Sequence, residues 1–315
     1  MIATVTFNPS LDEWVTLRAL RTGELNRANG FARYPGGKGI NVSRVVHELG
    51  GRTVAYGLAA GIDGRLLRDL MRSLHIHHVF VDVAGTTRNN YKIISDHPRQ
   101  LTEINTPGPA ISRADLASLK RLVLERRSLP RLLVLSGSLP PGAPATTYRA
   151  WIAQAKQSRV PVVLDASGAA FRAGLGAKPW LIKPNRNEAA ECLGRSISTL
   201  NEAVAAAVAL QRKGPEIVAL SLAEEGALLV YGNPIQVWHA RAPKIKVNSA
   251  VGAGDSLVGG LVTGWLQGRP LQEAFKLGVA CGTATALTPG TELCHRKDVL
   301  RIEKQVRLRR LRFMR

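Results

Sequence analysis

Cysteines and long apolar runs are scarce in this chain. Cys192, Cys281 and Cys294 are its three cysteines, and they form no C-x-x-C pair. This argues against a disulfide framework or a zinc site and predicts a reducing compartment. No stretch approaches the roughly 18 consecutive apolar residues of a membrane span, and the opening MIATVTFNPS lacks the cationic start of a secretion signal. We therefore predict a cytoplasmic protein with no membrane partner.

Acidic residues are also few. The 315 residues include 23 Asp and Glu against 43 Lys and Arg, which gives a formal net charge of +20. Such a charge suits nucleic acid, an anionic membrane surface or a small polyanionic substrate, and it does not choose among them. The densest cationic run is RIEKQVRLRRLRFMR at 301–315, where arginines alternate with Val306, Leu308, Leu311 and Phe313. We interpret it as a solvated C-terminal helix or tail, with contact to nucleic acid or a membrane as the weaker alternative.

Short apolar runs alternate with helical patterns along the chain. The apolar runs lie at 2–7, 132–136, 160–165, 180–183, 217–222 and 227–231, and helical patterns lie at 116–127, 147–158 and 200–213. This alternation predicts an α/β fold, in which a mostly parallel sheet has helices on both faces. Small or charged residues follow several of the predicted strands. Because ligands bind beyond the carboxyl ends of such strands, we expect those residues to meet in one crevice.

Two segments break this alternation. Residues 11–35 and 87–107 are polar and strand-like, with turn residues and little helical period. We predict that they form a small sheet over the mouth of the crevice, as a lid. The chain shows no linker, low-complexity tract or internal repeat, so we expect residues 1–315 to form a single domain.

The first glycine motif is PGGKGINVSRVVHELGG at 35–51. Val42, Val45, Val46 and Leu49 have the spacing of a helix with one buried face, and Gly50 is a natural terminator. A glycine turn before a helix leaves N–H groups free for an anion or for sugar hydroxyls. Lys38 adds a mobile cation suited to phosphate. The alternative is a tight turn with a surface lysine.

The second glycine motif is SAVGAGDSLVGG at 249–260. Gly252, Ala253 and Gly254 precede another helical stripe, so they form the turn that starts a helix. The motif lacks the third glycine of a dinucleotide fingerprint and the Lys-Ser/Thr of a Walker loop. An anion-binding turn beside Asp255 remains, and this combination suits phosphoryl transfer. The alternative makes Asp255 an ordinary helix N-cap.

A third motif is KPNRNE at 183–188. Asn185 and Glu188 lie three residues apart at the start of a predicted helix, so they face the same way and could hold water ligands of a magnesium ion. The same pattern is also an ordinary capping box.

Together these motifs resemble the ribokinase-like PfkB family of sugar kinases, in its hexose-phosphate branch. The resemblance covers the chain apart from about its last dozen residues, and its motifs are TFNPSLD (6–12), GELNR (23–27), GGKGINVSR (36–44), TRNN (87–90), LTEI (101–104), LSGSLPPG (135–142), KPNRNE (183–188), SLAEEGA (221–227) and VGAGDS (251–256). It implies a ribokinase-like three-layer α/β/α sandwich with a small β-strand lid. It also implies an ATP- and Mg²⁺-dependent phosphotransferase, and some relatives use K⁺ as well.

The resemblance assigns roles to individual residues. It makes Asp255 the base that deprotonates the acceptor hydroxyl and Gly252, Ala253 and Gly254 the anion hole. The sugar phosphate falls to Asp12, Gly37, Lys38, Asn41, Arg88 and Ser136. The nucleotide and its Mg²⁺ fall to Lys183, Asn185, Glu188, Ser221, Gly226, Val279 and Thr283. The monovalent cation falls to Ser249, Val251, Thr288 and Gly290. Because lids of this family often pair between subunits, the resemblance also implies a homodimer.

The choice of sugar depends on few residues. Relatives that phosphorylate fructose 6-phosphate carry a further phosphate-binding arginine where Glu103 stands and glycine where Lys38 stands. A carboxylate in place of that arginine reverses a local charge, which argues against the fructose 6-phosphate pose. GELNR, GGKG and TEI resemble relatives that act on fructose 1-phosphate or tagatose 6-phosphate, and of these we favour fructose 1-phosphate, with fructose 1,6-bisphosphate as product. Tagatose 6-phosphate and fructose 6-phosphate remain alternatives.

Two departures from the family pattern keep other functions in view. Ala250 stands where threonine is usual and Ala223 where glycine is usual. A missing hydroxyl removes a hydrogen bond of about 1 kcal/mol, which slows catalysis without abolishing it. These departures leave a catalytically weak sugar or nucleotide sensor as an alternative. The cationic charge leaves a nucleic-acid-binding protein as another, although no nucleic-acid motif occurs and we expect no such partner.

Overall fold

A ten-stranded sheet forms the centre of the computed structural model, which describes residues 1–312. In spatial order its strands are β14 (Arg307–Leu311), β13 (Gln236–Arg241), β12 (Ala227–Tyr231), β11 (Ile217–Ser221), β10 (Leu181–Ile182), β9 (Val162–Asp165), β8 (Leu132–Ser136), β1 (Ile2–Thr6), β4 (Thr53–Ala60) and β5 (His78–Val83). The seven strands from β11 to β5 run parallel, and β12, β13 and β14 join as antiparallel neighbours. The predicted mostly parallel sheet is therefore confirmed.

Helices cover both faces of this sheet. They are α1 (Lys38–Glu48), α2 (Gly61–Ser73), α3 (Arg113–Leu124), α4 (Thr147–Gln157), α5 (Gly168–Leu175), α6 (Arg186–Leu193), α7 (Leu200–Arg212), α8 (Ala253–Leu266), α9 (Leu271–Thr285) and α10 (Arg296–Glu303). Among residues 1–312, no helix combines the length and the apolar character that a membrane crossing needs.

Alternate residues of each central strand enter two different cores. In β8, Leu133 and Leu135 pack with α3, α4 and α7, whereas Leu132 and Val134 pack with α1, α8 and α9. Side chains alternate in this way because successive residues of a strand point to opposite faces. Both faces are apolar, so the strands read as continuous apolar runs in the sequence. The three-layer sandwich predicted above follows from this double burial.

The two segments that break the alternation form a separate four-stranded sheet, called here the lid sheet. Its order is β3 (Gly30–Gly36), β2 (Ser10–Leu17), β6 (Arg88–Asp96) and β7 (Arg99–Asn105). β2 pairs with β3 antiparallel and with β6 parallel. The predicted small sheet is confirmed, with its strands inside the ranges 10–36 and 88–105.

The C-terminal run differs from the prediction. Residues 301–303 end α10, but residues 307–311 form β14 beside β13 instead of a solvated helix or tail. Val306 is buried, and Leu308 and Leu311 pack against opposite faces of the sheet. Val306 and Leu308 have the two-residue spacing of one strand face, but Leu311 departs from it and arginines fill the other positions, so the sequence did not indicate a strand. Phe313 lies outside the described residues.

Candidate active site

Four polar residues end neighbouring strands at one edge of the large sheet. Ser136 ends β8, Asp165 ends β9, Lys183 follows β10 and Ser221 ends β11. Ser136 and Asp165 are paired across β8 and β9, and Ser221 bridges to Asn185. Because these strands are parallel, their carboxyl ends meet, and the crevice expected from the sequence lies here.

Asp165 is the centre of a charged cluster on the crevice floor. Lys38 Nζ lies 2.9 Å from Asp165 Oδ1, and Lys183 Nζ lies 3.4 Å from Asp165 Oδ2. Lys38 Nζ also lies 3.8 Å from Glu188 Oε1. Asp165 is fully buried and Lys183 is 4% exposed, whereas the Lys38 side chain is 34% exposed, so the cluster is open to water only on the side of Lys38.

Mutual attraction fixes the charges of this cluster. Burial alone would raise the pKa of Asp165, but Lys183 and Lys38 outweigh it and hold this pKa below its usual value. Burial would likewise lower the pKa of Lys38, yet Asp165, Asp255 and Glu188 raise it well above the usual range. Asp165 is therefore anionic and Lys38 cationic at neutral pH.

The N-terminus of α8 opens onto this cluster. Gly252 is its N-cap residue with φ 80°, in the left-handed region that favours glycine, and a Cβ there would lie 2.6 Å from Leu293. The Ala253 N–H reaches Ala250 O at 3.3 Å. Within residues 1–312, no acceptor is found for the N–H groups of Gly254 and Asp255. A Cβ on Gly254 would lie 3.3 Å from Lys183 Nζ, so free N–H groups and an ammonium group adjoin.

Asp255 lies in the first turn of α8 without capping it. Its Oδ2 instead accepts a hydrogen bond of 2.8 Å from Asn41 Nδ2 on α1. Burial, followed by repulsion from Asp165, raises the pKa of Asp255 to about 6, while Lys38, Asn41 and Lys183 oppose the rise. The interpretation of Asp255 as an ordinary N-cap is therefore wrong. A carboxylate with a pKa just below neutral pH is suited to act as a base.

The N-terminus of α1 brings Lys38 and Asn41 to the same place. Gly37 is the N-cap residue with φ 115°, and Lys38 is the first helical residue. A Cβ on Gly39 would lie 2.5 Å from Thr6 Oγ1, so the glycine lets α1 approach β1 closely. The helix thus begins inside the glycine motif, at Lys38, two residues earlier than a start just after the glycines.

One face of the lid sheet carries Asp12. Asp12 Oδ1 accepts hydrogen bonds from Ser10 Oγ at 3.0 Å and from Asn90 Nδ2 at 3.1 Å. The buried Lys92 lies 4.0 Å from Asp12 Oδ2 and 3.3 Å from Glu103 Oε1, on the same face by strand register. This face of the lid is therefore polar and internally paired.

Arg88, at the start of β6, lies at the base of the lid. Its Nε donates to Asn8 O at 3.1 Å, and the attraction of Asp12 partly offsets the effect of burial, which lowers the pKa of Arg88. Asn8 Oδ1 and Ser136 Oγ are buried and have no hydrogen-bond partner within the described chain. Asn8 Oδ1 needs a hydrogen-bond donor such as a sugar hydroxyl, and the Ser136 hydroxyl can donate to an anion, so both fit a polar ligand.

The predicted nucleotide residues lie farther along the same edge. Gly226 has φ 90° between β11 and β12, and a Cβ there would lie 2.0 Å from Ala240 O. Val279 packs in the same core as Ala227, and Thr283 Oγ1 donates to Val279 O at 2.8 Å on α9. Ser221, Gly226 and the α9 pair are thus on elements that pack together.

Asn185 and Glu188 form a capping box at the start of α6. Asn185 Oδ1 accepts the Glu188 N–H at 2.8 Å, and Glu188 Oε2 accepts the Asn185 N–H at 2.8 Å. The capping interpretation is confirmed. Glu188 Oε1 remains directed toward Lys38, which leaves one carboxylate oxygen for a metal-bound water.

The four residues assigned to a monovalent cation lie on two adjoining loops. Asn248 joins the loops by donating its N–H to Ala286 O at 2.8 Å and its Nδ2 to Leu287 O at 2.7 Å. In the described part of the chain, no donor reaches the backbone carbonyls of Ser249, Val251, Thr288 and Gly290. The Thr288 hydroxyl donates to Thr285 O instead. Free carbonyl oxygens are the ligands that K⁺ takes in proteins.

The two departures from the family pattern differ in kind. Because Ala250 is exposed, its side chain packs against little. Its backbone carbonyl accepts the Ala253 N–H. Ala223 has φ 53°, a left-handed conformation that glycine adopts at lower cost. The glycine usual at this position therefore has a backbone reason.

Sequence reasoning missed two residues of the site. Asp165 ends an apolar run as VVLD and Lys92 lies within a polar strand, and neither belongs to a glycine motif. A charged residue at the end of a buried parallel strand was the available signal for Asp165. For Lys92, the alternation of the lid strand showed a shared face with Asp12 only once the register was known.

Comparison with known proteins agrees with this geometry. Residues 5–298 match the pfkB family carbohydrate kinase profile. The chain is 40% identical over 296 residues to a 1-phosphofructokinase of Bacillus subtilis, covering 93% of this chain and 95% of that protein. It is 34% identical over 302 residues to an ATP-dependent 6-phosphofructokinase isozyme 2 of Mycobacterium tuberculosis, covering 95% and 88%.

The fold also matches solved structures. Phosphofructokinase-2 of Escherichia coli in complex with potassium superimposes with a TM-score of 0.90 at 31% identity, covering 96% of this chain and 98% of that one. A tetrameric inhibited form of the same enzyme superimposes with a TM-score of 0.89. The chain belongs to the pfkB family of carbohydrate kinases. It is a sugar-phosphate kinase, a phosphotransferase whose acceptor is an alcohol group, with a ribokinase-like α/β fold.

Proposed function

We propose that this kinase phosphorylates fructose 1-phosphate to fructose 1,6-bisphosphate, the reaction of a 1-phosphofructokinase. The observation that carries the chemistry is Asp255, which Asn41 holds beside the free N–H groups of α8 and the Lys38–Asp165–Lys183 cluster. The choice of sugar is supported by Glu103 on the polar face of the lid and by relatives that carry this name. Tagatose 6-phosphate and fructose 6-phosphate are the alternatives.

The reaction needs a proton acceptor and a site for developing negative charge. Asp255 takes the proton of the acceptor hydroxyl, since its pKa of about 6 leaves it ionised at neutral pH. The N-terminus of α8, from Gly252 through Ala253 to Gly254, stabilises the negative charge of the transferring phosphoryl. Lys38 neutralises charge at the same point, because its ammonium group lies among Asp165, Glu188 and Asp255.

The sugar phosphate binds between the lid and the floor. Asp12 and Asn41 bind sugar hydroxyls, with Gly37 leaving room for the ring. Arg88 binds the existing phosphate, next to Ser136. The sequence also predicted Lys38 at this phosphate, but its position among Asp165, Glu188 and Asp255 supports a role at the transferred phosphoryl instead. The unpaired Asn8 Oδ1 and Ser136 Oγ support this placement, because both need a polar partner.

ATP supplies the γ-phosphoryl group, and Mg²⁺ neutralises its phosphates. Lys183 beside the N-terminus of α8 fits nucleotide phosphates, because an ammonium group and free N–H groups both attract them. Glu188, with Asn185 orienting it, would hold Mg²⁺ through water. Ser221, Gly226, Val279 and Thr283 would line the rest of the nucleotide site. The free carbonyls of Ser249, Val251, Thr288 and Gly290 would hold K⁺.

A coupled assay of ADP release tests the proposal. Fructose 1-phosphate, fructose 6-phosphate, tagatose 6-phosphate and fructose are compared at equal concentration with ATP and Mg²⁺. We expect kcat/KM to be highest for fructose 1-phosphate. A higher value for either 6-phosphate would overturn the choice of sugar. Absence of turnover with all four would favour the sensor alternative.

We further propose a single kinase domain that forms a homodimer through its lid. The outer face of the lid sheet exposes Phe31 (61%), Ile104 (51%) and Tyr91 (40%), which lie on one face by strand register. Exposed apolar residues in such a group mark an association surface. Light scattering should give the dimer mass for the native chain and the monomer mass for Phe31→Asp/Ile104→Asp. A control, Leu300→Asp on α10, should remain dimeric.

A further inference from the structure

Arg44 connects the lid to the site through one amide. It lies three residues after Asn41, so both side chains occupy the same face of α1. Arg44 Nη1 lies 3.3 Å from Asn41 Oδ1 and 3.5 Å from Pro35 O, which belongs to β3 of the lid sheet. One guanidinium group therefore contacts both the lid backbone and the residue that binds Asp255.

Charged groups from three directions face this guanidinium. Burial lowers the pKa of Arg44 to about 10, while Asp12 of β2, Tyr34 of β3 and, after α9, Glu292 and Cys294 oppose that decrease. Arg44 therefore remains charged at neutral pH. Gly290 lies in the same region, since a Cβ there would lie 3.4 Å from Tyr34 Oη. The lid and the segment after α9 thus converge on Arg44.

The hydrogen bond to Asn41 has a directional consequence. An amide has one acceptor and one donor end, and Arg44 occupies the acceptor, Asn41 Oδ1. Asn41 Nδ2 is thereby turned to Asp255 Oδ2, at 2.8 Å. If the amide rotated by half a turn, its oxygen would face the carboxylate and repel the ionised form. Lys38, Asp165 and Lys183, which also face Asp255, would be unchanged by this rotation.

We propose that Arg44 is a positioning residue, which holds the Asn41 amide with its donor toward Asp255 and so ties the base to the lid sheet and to the segment after α9. The inference rests on the proposed function, because it takes Asp255 as the base.

The test is the pH profile of kcat between pH 5 and 9, with saturating fructose 1-phosphate and ATP. In Arg44→Met the acid limb should move up by about one pH unit, because the ionised base loses a hydrogen bond. At pH 6 kcat should therefore fall about 5-fold, because less of the base is ionised there, whereas kcat at pH 8 should change little. Arg65→Met on α2, whose exposed guanidinium has no partner within residues 1–312, is the matched control and should match the wild type.

Arg44→Lys separates positioning from charge and serves if Arg44→Met does not fold. It keeps the cation but loses the planar guanidinium group, whose Nη1 contacts both Pro35 O and Asn41 Oδ1, so kcat at pH 6 should fall at least about 3-fold and the acid limb should move up. A folded Arg44→Lys with the wild-type limb and kcat would overturn the inference, because charge alone would then suffice. An unchanged limb in folded Arg44→Met would overturn it as well.

A parallel Asp255→Asn variant keeps the two proposals apart. If Asp255→Asn retains full activity, the assignment of the base fails, and the inference fails with it. If Asp255→Asn is inactive while both Arg44 variants keep the wild-type acid limb, the base assignment stands and the inference about Arg44 alone is overturned.

Discussion

The N-termini of α1 and α8 begin alike and carry opposite charges. Each has a glycine N-cap in the left-handed region, Gly37 and Gly252, and neither has a side-chain cap. Lys38 is the first residue of α1, where the helix dipole disfavours a cation by about 0.3–1 kcal/mol, and Asp255 lies in the first turn of α8, where the dipole favours an anion.

Neither side chain caps its own helix. Asp255 makes no cap, and its carboxylate binds Asn41 on the other helix. Lys38 extends to Asp165 at the end of β9. Both are satisfied by residues far away in the chain. A charged residue that gives up local stabilisation in this way is expected where function decides its position.

The largest expected effect comes from removing the charge at α8. Asp255→Asn should lower kcat about 1,000-fold, because the acceptor hydroxyl loses its base, while the Kd for ATP changes little. Steady-state kinetics and calorimetric titration with ATP measure the two quantities. The control Asp298→Asn, in the first turn of α10, should keep full activity. Full activity in Asp255→Asn would refute the proposed mechanism.

Removing the charge at α1 should have the next largest effect. Lys38→Met should lower kcat/KM for the sugar phosphate about 100-fold, since one cation beside the transferred group is lost while Lys183 still neutralises Asp165. Lys120→Met on α3 serves as the control and should behave as wild type. A loss confined to ATP affinity would show that Lys38 serves the nucleotide instead.

The raised pKa of Asp255 should be visible in both activity and stability. The kcat should fall with acid around pH 6, where the base becomes protonated. A pKa raised from 3.8 to about 6 gives stability that is full below about pH 4 and lost as pH rises through 6, by about 3 kcal/mol. The unfolding free energy of Asp255→Asn minus that of the wild type should therefore be larger at pH 8 than at pH 4. Urea denaturation of both proteins at the two pH values measures this difference, and the same difference at both would contradict the raised pKa.

The smallest expected effect concerns a third turn, between β11 and β12, where Ala223 has the left-handed φ that Gly37 and Gly252 have at the other two turns. Ala223→Gly should raise the free energy of unfolding by about 0.5–1 kcal/mol, since glycine relieves the strain at φ 53°. Urea denaturation measures the change. Ala117→Gly, at an exposed position inside α3, should lower stability by about 1 kcal/mol. A destabilised Ala223→Gly would show that this turn is not strained.

The sequence allowed strands of the large sheet to be located where they are buried on both faces. Runs such as LLVLS and IVALS cannot be amphipathic helices, and they became β8 and β11. β4 and β5 were missed, because TVAYGLAA and HVFVDV mix small or polar residues with apolar ones. The C-terminal strand was missed because its arginines dominate its composition.

Site residues could be predicted where a local sequence pattern sets the backbone, but not where their contacts depend on how distant strands are aligned. The glycine turns at 35–39 and 252–254 are local signals, so Lys38 and Asp255 could be singled out from the sequence. Asp165 pairs with Lys38, 127 residues away along the chain, and Lys92 lies near Asp12 of another lid strand, which is also far away in the sequence, and nothing local marks those pairings. For Asn185 and Glu188 a local pattern was present, but it fitted both a magnesium site and a capping box, and only the structure showed the capping hydrogen bonds.

The last strand, β14, bears on how molecules of this kinase behave when crowded. It is the outermost strand of the large sheet, and exposed edges invite pairing with other chains. Here Arg307, Arg309 and Arg310 are exposed along that edge, on a protein of net charge +20. Two such edges that approached each other would bring rows of guanidinium groups together. The arginine run thus acts as a guard against edge-to-edge aggregation, one that weakens as salt rises.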